Sequence, residues 1–219
     1  MSPDRPHVAV TVFAKAPVAG LAKTRLMPAL GADGAAALAA RMLGHALARA
    51  VAAGVGPVDL CGTPDAAHPA LVAAAAAAGV ALTAQDDGDL GRRMHRAFAR
   101  TLARHRRALL IGTDAPALDA AMLREAAARL LDHDAVFVPA LDGGYALVGL
   151  RRADPRWFAD MPWSTPGVMD ETRRRLRAAG LRWAELAPVA DIDEPQDLVH
   201  LPAAWRAGLP AGGGAGAGR

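Results

Sequence analysis

The amino-acid sequence predicts one α/β domain, a three-layer α/β/α sandwich whose central sheet is mixed but mostly parallel. Its 219 residues are enough for a single domain with a sizeable hydrophobic core. Short apolar runs alternate with helical patterns over the first 131 residues, and this alternation is typical of a parallel sheet with helices on both faces. Two apolar runs then stand only four residues apart, which places a hairpin in that sheet.

The first half of the chain provides most of the predicted parallel strands. Residues 7–14 read HVAVTVFA, an apolar run rich in β-branched side chains, as expected of a first strand. Stretches with a helical pattern, several of them rich in alanine, separate the strands that follow. In order, we predict a helix at 33–51, a strand near 58–61, a helix near 67–78, a strand near 80–83, a helix at about 90–105 and a buried strand at 108–111.

The second half begins with a helix at 119–131 and continues with the hairpin at 134–150. DAVFVPA (134–140) and YALVGL (145–150) are its strands, and residues 141–144 form its tip. We then predict a helix at 166–179, a strand near 182–186, the acidic turn DIDEPQDL (191–198) and a helix at 195–200. From residue 209 the chain is Gly/Ala low complexity, which predicts a disordered tail. The domain is therefore expected to span residues 1–208.

The loop after the first strand carries both lysines of the chain, Lys15 and Lys23, whereas the chain has 23 arginines in all. Lysine carries a compact point charge, whereas arginine carries a planar guanidinium. The commonest place where a protein needs the point charge is a phosphate site. Gly20 and neighbouring alanines let backbone N–H groups approach an anion, and Arg25 adds a third positive charge. These features predict a polyphosphate site, although a surface loop with scattered cations would have the same composition. Neither the Walker A pattern nor GxGxxG is present.

Carboxylates from two distant parts of the chain are candidates for a metal site. Asp114 follows the strand at 108–111 in GTDAP, at the end of a strand, where ligands of such sheets bind. Asp191 and Asp193 lie in the acidic turn. Aspartate is also common in turns and at helix caps, so a purely structural role would explain each of these three aspartates as well. Because Mg²⁺ takes one or two carboxylates together with substrate phosphates, we predict a Mg²⁺ (or Mn²⁺) site at Asp114 and Asp193 and leave Asp191 open.

The segment QDDGDLGRRM (85–94) is a candidate for binding a nucleobase. Gln85 has an amide that can pair with a base edge, and Gly88 and Gly91 allow the backbone to approach a ligand closely. A polar loop in front of a helix with Asp89 near its start would explain the segment equally well.

Asp142 lies at the tip of the predicted hairpin, next to Gly143 and Gly144. It could orient or deprotonate an acceptor group, and the glycines would leave room for that acceptor. Asp-Gly is also simply a good hairpin turn. Trp163 is a second candidate on the acceptor side, since its ring could stack on a sugar.

Composition and missing motifs argue against several classes of protein. The net charge is only +3, aromatic residues make up 4% and no basic block interleaves with them, so nucleic-acid binding is not expected. The single cysteine, Cys61, argues against disulfides within the chain. The seven histidines show no pair with the spacing of metal ligands, which argues against a zinc site. No motif of covalent catalysis is present. The sequence shows neither a signal pattern nor a long apolar run, which predicts a cytoplasmic protein without membrane contact.

With the loop, GTDAP, DGGY and DIDEPQDL in this order, the chain resembles the nucleotide-diphospho-sugar transferase superfamily, which has the GT-A fold. FxKxPxxGxxKTRL together with GTDxP is similar in particular to the small bacterial glycosyltransferases of the arsenosugar-biosynthesis or radical-SAM-associated type, over about residues 8–198. More distantly, the chain is similar to 2-phospho-lactate guanylyltransferases and molybdenum-cofactor nucleotidyltransferases. Glycosyltransferases of this fold usually carry Asp-x-Asp, whereas this chain has the single carboxylate of Thr113-Asp114-Ala115.

The resemblance implies roles for the candidate residues. It implies Asp114 with Asp193 as the metal ligands and an acceptor near residues 142–145, and we accordingly predict Lys23, Asp114 and Asp142 as the catalytic groups. The nucleotide would then be bound by two sets of residues, the phosphates by Lys15, Gly20, Lys23 and Arg25 and the base by Gln85, Gly88 and Gly91.

Three functions are compatible with these residues. The first is glycosyl transfer from an NDP-sugar to a small acceptor, with the metal neutralising the diphosphate leaving group. The second is nucleotidyl transfer, in which a phosphate or phosphonate attacks the α-phosphorus of an NTP and pyrophosphate leaves. The third is a nucleotide-binding module without turnover. The sequence leaves the base, the sugar, the acceptor and the oligomeric state open.

Overall fold

The computed structural model describes residues 7–208, and in this range the chain forms a seven-stranded sheet with helices on both faces. The strand order is β3-β2-β1-β4-β6-β5-β7. Only β6 runs antiparallel to its neighbours, β4 and β5, while the other described pairs are parallel. The strands are β1 (Ala9–Lys15), β2 (Val58–Thr63), β3 (Ala81–Ala84), β4 (Ala108–Ile111), β5 (Ala135–Pro139), β6 (Tyr145–Leu150) and β7 (Trp183–Glu185). The predicted mixed, mostly parallel α/β/α architecture is confirmed.

The helices lie between the strands close to their predicted positions. They are α1 (Met27–Ala53), α2 (Pro69–Ala78), α3 (Leu90–Leu102), α4 (Ala120–Arg129), α5 (Val168–Ala178) and the short α6 (Ala203–Arg206). Short 3-10 helices occur at Thr24–Leu26, Pro155–Trp157 and Pro195–His200. Within residues 7–208, none of the helices combines the length and apolarity that a membrane crossing requires. The predicted tail from residue 209 lies outside the described residues.

Two elements differ from their predictions for identifiable reasons. The first helix was predicted to begin at Asp33 but begins at Met27, with a break at Gly31, whose φ of 70° and ψ of 171° are not helical. The extra turn is stabilised because Leu26 and Leu30 are buried against Ile192, a contact that local sequence does not reveal. The predicted helix at 195–200 is a 3-10 helix.

The strands alternate between the two hydrophobic layers, as the pleat of a sheet requires. In β1, Val10 and Val12 point to the layer that includes α1, α2 and α4, whereas Phe13 points to the layer of α3 and α5. In β4, Leu109 and Ile111 face the first layer. Because burial of each large aliphatic side chain contributes about 1.5–3 kcal/mol, these two layers supply most of the stabilisation of the sheet.

The parallel strands β1, β2, β3, β4 and β7 end at the same edge of the sheet, and this edge carries the candidate residues. The loop after β1 (residues 16–23, here the β1 loop), the turn after β4 and the segment after β7 all leave from it. A bridge between Ala140 and Val189 extends the pairing of β5 with the last segment beyond the strands themselves. The fold therefore brings positions that are far apart in sequence to one place.

Candidate functional site

The β1 loop folds back on itself before the chain enters α1. Leu21 and Ala22 donate backbone hydrogen bonds to the Val18 carbonyl, at 3.0 and 2.9 Å. The side chain of Lys15 spans the loop, because its Nζ donates to the Leu21 carbonyl at 2.8 Å. Gly20 has a φ of 78°, which glycine adopts without strain. Lys15 therefore stabilises the shape of the loop in this structure.

Lys23 ends the loop and lies between the two predicted metal ligands. Its Nζ is 2.6 Å from Asp114 Oδ1 and 2.7 Å from Asp193 Oδ1, and it also donates to the Ile192 carbonyl at 2.7 Å. Asp114 and Asp193, here the carboxylate pair, thus place an oxygen each against one nitrogen, although 79 positions separate them in the sequence. Only 10% of the Lys23 side chain is exposed. Its backbone has φ 49° and ψ 44°, a left-handed conformation that is uncommon for lysine.

The backbone holds the carboxylate pair in place. Ile192 is fully buried and its N–H donates to the Asp114 carbonyl at 2.8 Å, which joins the turn after β4 to the segment after β7. Asp197 Oδ2 accepts the N–H groups of Asp193 and Glu194, at 3.0 and 2.7 Å. Glu194 and Asp197 form a capping box on the following 3-10 helix. The position of Asp193 is therefore set by hydrogen bonds from the N–H groups of residues 192–194.

Electrostatics strengthen the contact between Lys23 and the carboxylate pair. Burial by itself lowers the pKa of Lys23, but attraction to Asp114 and Asp193 outweighs it, so the pKa of Lys23 is raised. Lys23 is therefore a fully charged ammonium at neutral pH. An ammonium of this kind neutralises part of the negative charge that two close carboxylates would otherwise concentrate.

Asp191 adds a further acidic group beside the carboxylate pair. Its Oδ1 is buried and has no hydrogen-bond partner among the described residues. Burial, followed by repulsion from Asp114, Asp142 and Asp193, raises the pKa of Asp191 to about 7, while Lys23 opposes this shift. Within residues 7–208, no three side chains of His, Cys, Asp or Glu converge as a preformed metal site. The donor set nevertheless fits Mg²⁺, which needs only one or two carboxylates when phosphates and water complete its coordination.

A cleft of about 190 Å³ adjoins the carboxylate pair on the side of the hairpin tip. It is lined by Leu141, Asp142, Ala190, Asp191, Asp193, Asp197 and His200. Asp142 is exposed, and its Oδ1 accepts the N–H of Gly144 at 2.9 Å. The structure thus brings the hairpin tip to the same cleft as Asp193. Sequence reasoning did not select Asp197 or His200, although the Glu194 to Asp197 capping spacing was a readable signal for the first of them.

Arg25 does not share the environment of Lys23. Its side chain is 69% exposed, and its Nη1 lies 3.6 Å from Glu194 Oε1. The three cations of the predicted phosphate site therefore contact different partners in this structure. Lys15 contacts a loop carbonyl, Lys23 contacts the carboxylate pair and Arg25 contacts Glu194. Of the three, Lys23 is the cation that the fold buries.

Gln85 lies at the end of β3, where its side chain binds the ends of the neighbouring strands. Its Nε2 donates to the carbonyl of Cys61 at 3.0 Å and to that of Ala14 at 3.4 Å. Arg93 Nη1 donates to Gln85 Oε1 at 3.1 Å, a contact that sequence reasoning did not find. The amide group of Gln85 therefore already has protein partners at both ends.

The glycines of the predicted base-binding segment lie close to other parts of the protein. Gly88 has a φ of 109°, and a Cβ there would touch the side chain of Arg92. A Cβ at Gly91 would overlap the Phe158 carbonyl oxygen and approach Trp163 Nε1. Gly91 thus allows the start of α3 to pack against the segment that contains Trp163.

The fold and this edge site together define the chain as an α/β protein of the nucleotide-diphospho-sugar transferase-like fold. The crystal structure of a "putative nucleotide-diphospho-sugar transferase" from Desulfovibrio desulfuricans G20 has a TM-score of 0.80 and 30% sequence identity, over 87% of this chain and 84% of that chain. The family model DUF2064, described as "Uncharacterized protein conserved in bacteria", matches residues 9–165. The chain belongs to this family.

More distant structures share the fold alone. CMP:2-keto-3-deoxy-manno-octonic acid synthetase complexed with CTP has a TM-score of 0.58 and 16% identity, over 92% of this chain and 97% of that chain. Rv0371c from Mycobacterium tuberculosis H37Rv in complex with manganese has a TM-score of 0.55 and 22% identity, over 87% of this chain and 95% of that chain. A sequence comparison with curated proteins gives no match.

Proposed function

We propose that this protein is a divalent-metal-dependent transferase that acts on a nucleotide-activated substrate, with glycosyl transfer from an NDP-sugar to a small acceptor as its reaction. The observation that carries the proposal is the convergence of Asp114 and Asp193 on one point next to the β1 loop. Similarity at 30% identity to a structure described as an NDP-sugar transferase supports it. Two half-exposed carboxylates beside a buried lysine serve no evident purpose in packing.

Asp114 and Asp193 are the residues that would hold Mg²⁺ or Mn²⁺. Their two oxygens both lie within 2.7 Å of the same nitrogen, so one cation can be shared between them. The manganese complex of a protein with the same fold supports the use of a divalent cation. When bound, the cation would supply Lewis-acid neutralisation of phosphate charge. The main-chain bonds around Ile192 and Asp193 keep both carboxylates oriented for it.

The β1 loop is the proposed site for the phosphates of the donor. Among residues 16–27, the N–H groups of Ala19, Gly20, Lys23, Thr24 and Arg25 have no backbone acceptor. Backbone donors of this kind, together with nearby cations, bind phosphate oxygens. Lys15 holds the loop in shape, and Arg25 is exposed at its end. We propose both residues as parts of the phosphate site, Lys15 through its hold on the loop and Arg25 through its exposed charge.

The cleft beside the hairpin tip is the proposed site of the acceptor. Asp142 is exposed there and can accept a proton from, or orient, an acceptor hydroxyl. Leu141, which is 64% exposed, provides an apolar surface at the same place. Glycosyl transfer then requires that the acceptor oxygen attacks the anomeric carbon while the bond to the diphosphate breaks and the NDP leaves.

Nucleotidyl transfer is the second candidate, and a specific observation favours it. The carboxylate pair comes from two separate segments, 79 positions apart, whereas an Asp-x-Asp motif would place both carboxylates on one turn. In this reaction a phosphate or phosphonate oxygen of the acceptor attacks the α-phosphorus of an NTP, and pyrophosphate leaves. The CTP complex of a protein with the same fold supports the possibility.

A product assay separates these functions. The protein is incubated with Mg²⁺, each NTP or NDP-sugar and a panel of small acceptors, and the release of NDP and of pyrophosphate is followed. NDP release that depends on acceptor supports glycosyl transfer, and pyrophosphate release supports nucleotidyl transfer. Tight binding of a nucleotide with Mg²⁺ but no product with any acceptor would leave a nucleotide-binding module and contradict both transferase proposals.

A further inference from the structure

We infer that Lys23 blocks the carboxylate pair in the free protein, so that a divalent cation binds tightly only after phosphates have drawn the Lys23 ammonium away. The inference rests on the proposed function, because it takes Asp114 and Asp193 as the ligands of the cation.

The contacts of Lys23 account for all of its hydrogen-bonding capacity. An ammonium has three N–H donors, and the three acceptors around Lys23 Nζ are Asp114 Oδ1, Asp193 Oδ1 and the Ile192 carbonyl, at 2.6–2.7 Å. No donor remains for a phosphate while Lys23 is in this position. At the same time its positive charge lies against the two oxygens that a cation would need. Lys23 can therefore serve the phosphates or the carboxylate pair, but not both.

The surroundings allow Lys23 to leave. The side chains of Asp114 and Asp193 are 44% and 45% exposed, so solvent and ions reach the pair. Lys23 belongs to the β1 loop, where the N–H groups proposed to bind phosphate lie, and its side chain is long and flexible. A polyphosphate on the loop offers the ammonium new anionic partners. The vacated carboxylates are then free to bind the cation that neutralises the same phosphates.

Thermodynamic linkage makes the effect reciprocal. If phosphates raise the affinity of the carboxylate pair for a cation, the cation must raise the affinity for phosphates by the same factor. The free protein is therefore expected to bind Mn²⁺ weakly, and coupling of this type typically amounts to roughly 5- to 150-fold. The competing view is that Lys23 only ties the β1 loop to the segment after β7. That view predicts a loss of stability on its removal, but no gain in cation binding.

Mn²⁺ binding to the nucleotide-free protein tests the inference without any measurement of activity. Free Mn²⁺ is measured by electron paramagnetic resonance during titration of the wild type and of Lys23→Met, which keeps length but removes the charge. Arg25→Met is the matched control, since it removes a neighbouring charge that does not contact the carboxylate pair. We expect Lys23→Met to bind Mn²⁺ at least about tenfold more tightly than the wild type. Arg25→Met should stay within about twofold.

Equal or weaker Mn²⁺ binding by Lys23→Met, or an equal gain in Arg25→Met, would overturn the inference. If Lys23→Met folds poorly, Lys23→Gln replaces it, and the rise in melting temperature on addition of Mn²⁺ is compared with that of the wild type. Adding Asp114→Asn to the Lys23 variant should abolish the gain. If it does not, the cation binds elsewhere and the proposed metal site fails as well. If Asp114→Asn weakens Mn²⁺ binding but Lys23→Met brings no gain, only the present inference fails.

Discussion

Single residues decide the chemistry of this site, because one ammonium and two carboxylates share a small volume at the edge of the sheet. The fold fixes Asp193 through Asp197 and fixes Asp114 through the main chain of Ile192. Neither carboxylate is needed to fill the core, since both side chains are nearly half exposed. Their removal should therefore affect function much more than stability.

Asp114→Asn tests this separation directly. Asparagine has nearly the same shape but no charge, and Lys23 keeps Asp193 and the Ile192 carbonyl as partners. We expect turnover to fall roughly 100-fold or more, while the free energy of unfolding changes by less than about 1 kcal/mol. The control is Asp119→Asn, in which the cap of α4 on the Met122 N–H is retained because asparagine caps helices as well as aspartate does. A fully active Asp114→Asn protein would remove the metal role.

Asp142→Asn distinguishes an acceptor-binding aspartate from a turn residue. The asparagine oxygen can still accept the Gly144 N–H, so the hairpin should keep its stability. It cannot accept a proton, and transfer should therefore be lost while nucleotide affinity is unchanged. Asp65→Asn is a matched control, because Asp65 makes the same kind of bond to the Ala67 N–H in an unrelated loop. Normal transfer by Asp142→Asn would place the acceptor group elsewhere in the cleft.

The sequence allowed most candidate residues to be found but not their partners. Asp114 and Asp193 were predictable because each follows a predicted strand, and carboxyl ends of parallel strands meet at one edge. The position of the Lys23 side chain was not predictable, because its contact with Asp193 joins residues 170 positions apart. Gln85 illustrates the same limit, since its amide is held by carbonyls of β1 and β2 and by Arg93. Such contacts exist only once the sheet has formed.

At the scale of elements, the hairpin tip packs closely against the segment that leads into α5. Gly143 has a φ of 93°, and a Cβ there would overlap the Pro166 carbonyl oxygen. Met169 donates its N–H to the Gly143 carbonyl at 2.8 Å, which ties the tip to the start of α5. The tip is therefore a fixed wall of the cleft.

Gly143→Ala should reveal this packing as a loss of stability. The control is Gly180→Ala, where φ is 64° but nothing lies within 4 Å of the added carbon. Backbone strain alone should cost the control about 1–2 kcal/mol in the free energy of unfolding. Gly143→Ala should lose about 1–3 kcal/mol more, because the carbonyl must move as well. Equal losses in urea denaturation would mean that the tip does not pack as described.

The start of α5 also carries a pH-sensitive contact. Glu171 accepts hydrogen bonds from Arg174 and Arg175, which lower its pKa to about 2. Arg175 in turn donates to the carbonyls of Arg156 and Asp160, which holds the segment before α5 in place.

Glu171→Gln should therefore change the acid dependence of stability. Because the folded-state pKa lies below the ordinary value of 4.5, the stabilisation by the carboxylate is complete above that value and is lost as pH falls toward 2. The difference in unfolding free energy between wild type and variant should be constant near neutral pH and shrink below about pH 4.5. Glu125→Gln, which removes an exposed pair with Arg129, is the control. A difference that stays constant down to pH 3 would contradict the role of Glu171.

Strand and helix order could be predicted because hydrophobic period and turn residues are local signals. The two elements that differ from their predictions depend on long-range contacts instead, and the early start of α1 is the clearer example. Leu26 and Leu30 are buried in a cluster to which the distant Ile192 and Leu201 contribute. The 3-10 geometry of residues 195–200 likewise depends on the capping box with Glu194 and on the hydrogen bond that the Asp193 N–H donates to Asp197 Oδ2.

In the molecule as a whole, the fold collects the β1 loop, the carboxylate pair and the hairpin tip at one edge of the sheet. Strand β6 is inserted antiparallel between β4 and β5, which places the hairpin tip next to the ends of the parallel strands. The mixed sheet was predictable from the short hairpin connection. The cleft of about 190 Å³ was not predictable from the sequence, because it depends on how the segment after β7 crosses the sheet edge.

We propose that this edge binds a nucleotide and a divalent cation together, and the position of a bound cation would show whether it does. Crystals grown with Mn²⁺ and a nucleoside diphosphate would show the metal by its anomalous scattering. We expect a peak between the carboxylates of Asp114 and Asp193, the diphosphate on the β1 loop and Lys23 turned toward the phosphates. A peak at another place, or Lys23 still between the two carboxylates with nucleotide and metal bound, would contradict it.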